Sequence, residues 1–157
     1  TNLRALVAEV SELVRDAYTD RRVDLELDLP DGDRWVDGCP LLREAVFNVI
    51  DNGVAHNGEA TPWIGTRLED APGGKLRVVV EDNGPGISAG SRKEIFQRYV
   101  RLSVGGSGLG LSVVRAVVDR CGGHIWAEER VKGRSDQGAR FVMELPAAAA
   151  PSGENDE

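Results

Sequence analysis

Three polar clusters, far apart in the chain, combine residue types that ordinary packing does not require. The first is Glu44, Asn48, Asn52 and His56, which recur every four residues. Steps of four drift only about 40° around a helix, so these side chains form one polar stripe. A solvated helix face is the bland alternative, and for Glu44 alone it is preferred. Asparagine is a mediocre helix former, and two in phase beside an apolar seam need a reason. The second cluster is Asp82-Asn83-Gly84-Pro85-Gly86-Ile87, which follows the apolar run Leu76 to Val80. There a carboxylate ends a strand, and Gly84 and Gly86 permit a close backbone approach that a Cβ would block. The third is Gly105-Gly106-Ser107-Gly108-Leu109-Gly110-Leu111, at the start of a helical pattern. Glycines let backbone N–H groups reach phosphate oxygens, and a helix N-terminus favours negative charge. Its G-x-G-x-G spacing lacks the Gly-Lys-Ser/Thr ending of a Walker loop, and it does not follow a strand as a dinucleotide fingerprint does.

The elements that must position these clusters can be read from periodicity. Leu3, Leu6, Val7, Val10, Leu13, Val14 and Ala17 predict an amphipathic helix over 3–18,. Val23, Leu25, Leu27 and Leu29 alternate with acids and predict a half-buried strand ended by Pro30-Asp31-Gly32,. Pro40 suits the first turn of the next helix, whose buried face is Leu41, Leu42, Ala45, Val46, Val49, Ile50 and Val54,. Strands are expected at 61–68 and 75–81, joined by Asp70-Ala71-Pro72-Gly73-Gly74. Ser91-Arg92-Lys93-Glu94 has a capping-box pattern and predicts a short helix carrying Ile95, Phe96 and Tyr99,. Val113, Val114, Val117, Val118 and Cys121 mark a helix stopped by Gly122-Gly123,. Strands near 124–130 and 139–145 close the fold. This order predicts an α+β, two-layer sandwich: one mixed sheet with helices on one face. Residues 1–146 form the expected domain, and 147–157 read as a disordered tail.

In this order and at these separations, the clusters resemble the N box and the two glycine boxes of the Bergerat-type ATP-binding fold. The resemblance is strongest to the catalytic, ATP-binding domain of sensor histidine kinases, and runs from about Leu3 to Pro146. It implies ATP and Mg²⁺ as cofactors. Asn52 is then the magnesium ligand, and Asn48 occupies the earlier N-box position. In related ATPases that position holds a water-activating Glu; an amide cannot act as a base. Asp82 would accept a hydrogen bond from the adenine amine and reject guanine, at a mismatch of ~1–3 kcal/mol. Asn83 would add a polar contact. The resemblance also assigns Gly84, Gly86 and Ile87 to the adenine end, and Gly106, Ser107, Gly108, Leu109, Gly110 and Leu111 to the phosphates. Phe96-Gln97-Arg98-Tyr99-Val100-Arg101 is similar to the family's F box, with Tyr99 near the nucleotide and Arg101 near the terminal phosphate. Arg98 competes for that role.

Two departures stand out. Only Leu102, Ser103 and Val104 separate Arg101 from the glycine run, a short lid for the family. Ala55-His56 stands where a Lys often precedes an aromatic or basic residue, so His56 would replace a cationic phosphate contact,. Neither His56 nor His124 has the context of a phosphoacceptor. The function implied is that of a kinase domain presenting the γ-phosphate to a histidine on a separate dimerisation and phosphoacceptor domain, upstream of a response regulator. An anti-sigma-factor-type serine kinase and a degenerate nucleotide-binding scaffold are the alternatives.

A chain of 157 residues fits one domain,. Its net charge of −7, about −4 without Glu154, Asp156 and Glu157, argues against a nucleic-acid partner,. No run approaches the ~20 apolar residues of a membrane span, so membrane contact is expected only through a parent protein. A start at Thr1 reads as a fragment, and the location expected is cytoplasmic. Cys39 and Cys121 fit no metal spacing and are expected as reduced thiols,.

Overall fold

The computed structural model describes residues 1–97 and 110–153. Helix α1 spans Leu3–Ala17, and Asn2 Oδ1 caps it by accepting from the Ala5 N–H at 3.3 Å,. Strand β1 is Asp24–Asp28, α2 is Leu42–Ala55, β2 is Trp63–Ala71 and β3 is Lys75–Asp82. After two short 3₁₀ turns, α3 covers Leu111–Arg120, β4 His124–Val131 and β5 Arg134–Pro146.

The sheet order is β1-β2-β3-β5-β4. β1 pairs with β2 in parallel, and the other pairs are antiparallel. The result is the expected α+β sandwich with a mixed sheet. Alternation decides which face is covered. Leu76, Val78 and Val80 of β3 join Val7, Val46, Ile50 and Val118 of the helices in one core. Val79 and Val142 are also buried, on the opposite face, beside the long charged side chains Arg77, Glu81, Arg140 and Glu144,.

Several local expectations change. The helix of the first cluster begins at Leu42, so Pro40 lies outside it. Leu41 takes a left-handed φ of 68° and is 51% exposed, so it leaves the apolar face assigned to it. On β1 only Leu25 is buried; Leu27 is exposed because β1 is an edge strand. Asp70 and Ala71 extend β2, which narrows the connection to Pro72–Gly74. The Ser91 capping box does not form. Its hydroxyl accepts from Ser88 Oγ at 2.9 Å, and the segment folds as two 3₁₀ turns, Ala89–Ser91 and Glu94–Phe96. Strand β5 starts five residues early, and β4 and β5 are joined by Lys132-Gly133. Ala147 bridges Val36, and Ala148 N–H donates to Trp35 O at 2.7 Å, so the segment expected to be structureless begins with two anchored residues.

The largest correction concerns the cysteines. Cys39 and Cys121 form a disulfide, with Cα atoms 5.7 Å apart,. Position in space, which spacing along the chain does not reveal, brings them together: one precedes α2 and the other caps α3, and these helices pack on each other.

Candidate functional site

Helix α2 carries the first cluster as an asymmetric stripe. Glu44 is exposed, Asn48 is buried and Asn52 is half-buried. Asn48 Nδ2 donates to Glu44 O at 2.5 Å, so its amide is oriented by its own helix. Asn52 Oδ1 is buried and has no hydrogen-bond partner among the described residues. A buried orphaned carbonyl oxygen is costly unless something fills its lone pairs. His56 is the C-cap residue of α2 and is exposed.

Asp82 ends β3 next to this helix. Its Oδ1 accepts from the Gly84 N–H at 2.9 Å and from the Ala139 N–H of β5 at 3.3 Å. Burial pushes the Asp82 carboxyl above the ordinary carboxylate range, while those two N–H groups and the charges of Arg130 and His56 pull the other way,. Gly86 is required by two facts. Its φ is +77°, and a Cβ there would sit 2.0 Å from Ser135 O,. Gly138 is required for the same reasons, at φ +92° and 1.9 Å from Asp82 O. The two glycines let the start of β5 cross the Asp82–Gly86 segment.

Asn52, His56, Asp82, Gly86 and Ile87 line one recess together with Phe141. Gly84 stands behind it on Asp82 Oδ1, and Asn48 lies one turn back along α2. Gly110 is the N-cap of α3 and Leu111 its buried first residue, as expected for the end of the glycine run. Tyr99, Arg101, Gly106, Ser107, Gly108 and Leu109 lie outside the described residues. Phe96 is buried edge-on against Phe141, ring centres 6.1 Å apart, which ties the segment after Ile87 to the recess. Asn83 is engaged within the protein. Its Oδ1 accepts from Asn57 Nδ2 at 2.7 Å and from Trp63 N–H at 2.8 Å, so it fastens the loop after α2 to β2.

The sequence reading missed four supporting residues. Gly53 brings α2 onto the sheet: a Cβ there would meet Ile64 Cδ1 at 2.9 Å and Asp82 Oδ2 at 3.6 Å. Asp51 is buried and accepts from Tyr18 Oη at 2.6 Å. Arg21 donates to Val54 O at 3.2 Å and Asn57 O at 2.9 Å, satisfying carbonyls at the C-terminal end of α2,. For Asp51 a signal existed, a carboxylate inside the predicted apolar seam between Ile50 and Val54. Arg21 and Tyr18 gave none.

The arrangement offers a recess lined by a carboxylate acceptor, a buried amide oxygen and the apolar side chains of Ile87 and Phe141. Among the described residues no three His, Cys, Asp or Glu side chains gather as a metal site. The chemistry of the Asn52 amide oxygen fits a hard cation that takes most of its other ligands from phosphate and water,.

Residues 39–149 match the family described as histidine kinase-, DNA gyrase B-, and HSP90-like ATPase. The chain belongs to that family. Within it, the likeness is to histidine kinases. Over 160 residues it is 32% identical to the signal transduction histidine-protein kinase/phosphatase MprB of Mycobacterium sp. (strain KMS). The match covers 95% of this chain and 30% of that relative, so the domain spans under a third of the longer kinase. A solved mycobacterial sensor kinase MprB structure superposes with a TM-score of 0.80 at 28% identity, covering 96% of this chain and 97% of that one. The histidine kinase ThkA, solved in complex with its response regulator TrrA, superposes with a TM-score of 0.74 at 27% identity, over 94% of this chain and 41% of that one. The chain is thus a histidine-kinase ATP-binding catalytic domain. Among the described residues of the kinase domain, no helix is long and apolar enough to cross a membrane.

Proposed function

We propose that this domain binds ATP with Mg²⁺ and presents the γ-phosphate to a histidine on a separate helical dimerisation and phosphoacceptor domain, feeding a response regulator. The observation that carries this reading is the pairing, in one recess, of a buried Asp82 with the orphaned Asn52 Oδ1. Asp82 Oδ1 is oriented by two backbone N–H groups, which leaves the carboxylate to accept from the adenine amine. Guanine would present an acceptor at that point and lose ~1–3 kcal/mol. Ile87 and Phe141, which line the same recess, would give the base apolar contact. Asn52 Oδ1 would hold Mg²⁺, which when bound neutralises charge on the phosphate oxygens. His56, at the rim, donates to phosphate in place of the absent lysine. The start of α3 at Gly110 and Leu111 would offer backbone N–H groups to phosphate oxygens,.

Asn48 decides the outcome of binding. An oriented amide cannot deprotonate water, so the nucleotide is conserved for transfer. Arg101, by its place in the Phe96–Arg101 motif, steadies charge on the phosphoryl group in flight. The site of action is the cytoplasm, where ATP is supplied. ThkA's complex with a response regulator supports the downstream partner.

The test is incubation of the domain with γ-labelled ATP, Mg²⁺ and a phosphoacceptor-histidine domain of a related kinase. Acid-labile, base-stable label should appear on the acceptor with little phosphate release. Release of phosphate with no acceptor label would contradict the proposal.

A further inference from the structure

We propose that the Cys39–Cys121 disulfide is a thiol-exchange site whose state tunes nucleotide affinity; this rests on the nucleotide reading of the recess. The two cysteines lie 82 residues apart, and every candidate nucleotide residue from Asn48 to Leu111 falls inside the loop they close. Each is held firmly. Cys39 O accepts from the Leu42 N–H at 3.3 Å at the start of α2. Cys121 is the C-cap of α3, in a Schellman turn: Gly122 N–H donates to Asp119 O and Gly123 N–H to Val118 O, both at 3.0 Å, with Gly122 at φ +76°,.

The bond therefore joins the first end of α2 to the last end of α3. The two helices also pack against each other. Their other ends are the functional ones: Asn52 and His56 in the last turn of α2, Gly110 at the start of α3. The disulfide pins this helix pair at the end remote from the recess. Helix α2 has independent fastenings, through Glu9–Arg43, Tyr18–Asp51 and Arg21. Among the described contacts, α3 rests on α2, β4 and the Glu94–Phe96 turn. Reduction thus removes the covalent tie on α3 and leaves it held by the packing of Val114, Val117 and Val118, while α2 keeps its polar fastenings.

The bond is within reach of solvent. Both cysteines are half-buried, and Gly38, Pro40, Arg120 and Gly122 beside them are exposed. A disulfide that solvent can reach is open to exchange with thiols. The chemistry is two-step exchange with a dithiol reductant. Its first thiolate attacks one Sγ, breaking the Cys39–Cys121 bond and expelling the other cysteine as thiolate. Its second thiolate then resolves the mixed disulfide. The dithiol is oxidised by two electrons, and both cysteines take up protons. A disulfide oxidant runs the exchange backwards.

The test is calorimetric titration of Mg-ATP into the 157-residue chain, oxidised and then reduced, with thiol counts and circular dichroism on each sample. Oxidised protein should bind about three- to ten-fold more tightly, and reoxidation should restore it. Cys39→Ser and Cys121→Ser should match the reduced chain and ignore reductant. Equal affinity in both verified states overturns the proposal and leaves the nucleotide reading intact. An affinity loss that tracks loss of folded signal, or thiols that refuse to oxidise, overturns it too. No binding in either state removes the nucleotide reading on which it stands.

Discussion

Asp82 combines three demands that pull against one another. It is buried, burial disfavours its charged form, and two backbone N–H groups fix its Oδ1. A folded-state pKa above the unfolded value means the native chain holds its proton to higher pH than the unfolded one. The stability tied to that proton is complete below the ordinary carboxylate value of 3.8 and is lost as pH rises through the raised folded value,. Asp82→Asn should therefore raise the melting temperature of the nucleotide-free domain at pH 7. That advantage should shrink toward pH 3.5, as followed by thermal unfolding across pH. A variant equally stabilised at both pH values would break the link to ionisation. The residue scale also shows what was legible. Asn52, Asp82 and Gly86 were readable because each breaks a local pattern, an amide in a helix seam or a glycine after a strand. Asn83 stood in the same motif, yet its side chain bonds to Asn57 and Trp63, a use that only the folded loop reveals.

At the scale of elements, α2 is the part on which the site depends. Three ties hold it to the chain before β1: Arg43 on Glu9, Tyr18 on Asp51, and Arg21 on its last carbonyls. Burial pushes the Tyr18 hydroxyl well above its ordinary range, with the Asp51 carboxylate adding to the effect. Tyr18→Phe leaves a buried carboxylate without its partner and should cost about 1–3 kcal/mol in chemical denaturation. A loss below ~0.3 kcal/mol would mean that another group or water takes over the bond. Among the described residues, the α-helices and strands stand where the sequence leads one to expect them, but the helix expected from Ser91 is replaced by two 3₁₀ turns. Periodicity erred at ends, where side-chain bonding and backbone turns compete with regular structure. Ser88 captured the Ser91 hydroxyl, and a left-handed Leu41 delayed α2 past Pro40. The disulfide was invisible for a different reason: 82 residues separate its ends, and only the packing of α2 on α3 joins them.

For the whole molecule, the mixed sheet is a platform that brings distant segments to one recess. The end of β3, the last turns of α2 and the crossing start of β5 meet there, with Gly53, Gly86 and Gly138 allowing the approach. The fold class followed from the order of elements, since a helix separates β1 from a hairpin that cannot continue a parallel repeat. The measurement that tests this account most directly is a calorimetric titration of ATP and of GTP, each with Mg²⁺, into the wild-type domain and Asp82→Asn. The account predicts ATP binding that weakens about ten-fold or more for GTP and for Asp82→Asn. Equal binding of both nucleotides, untouched by the substitution, or no binding to the folded wild-type domain, would contradict it.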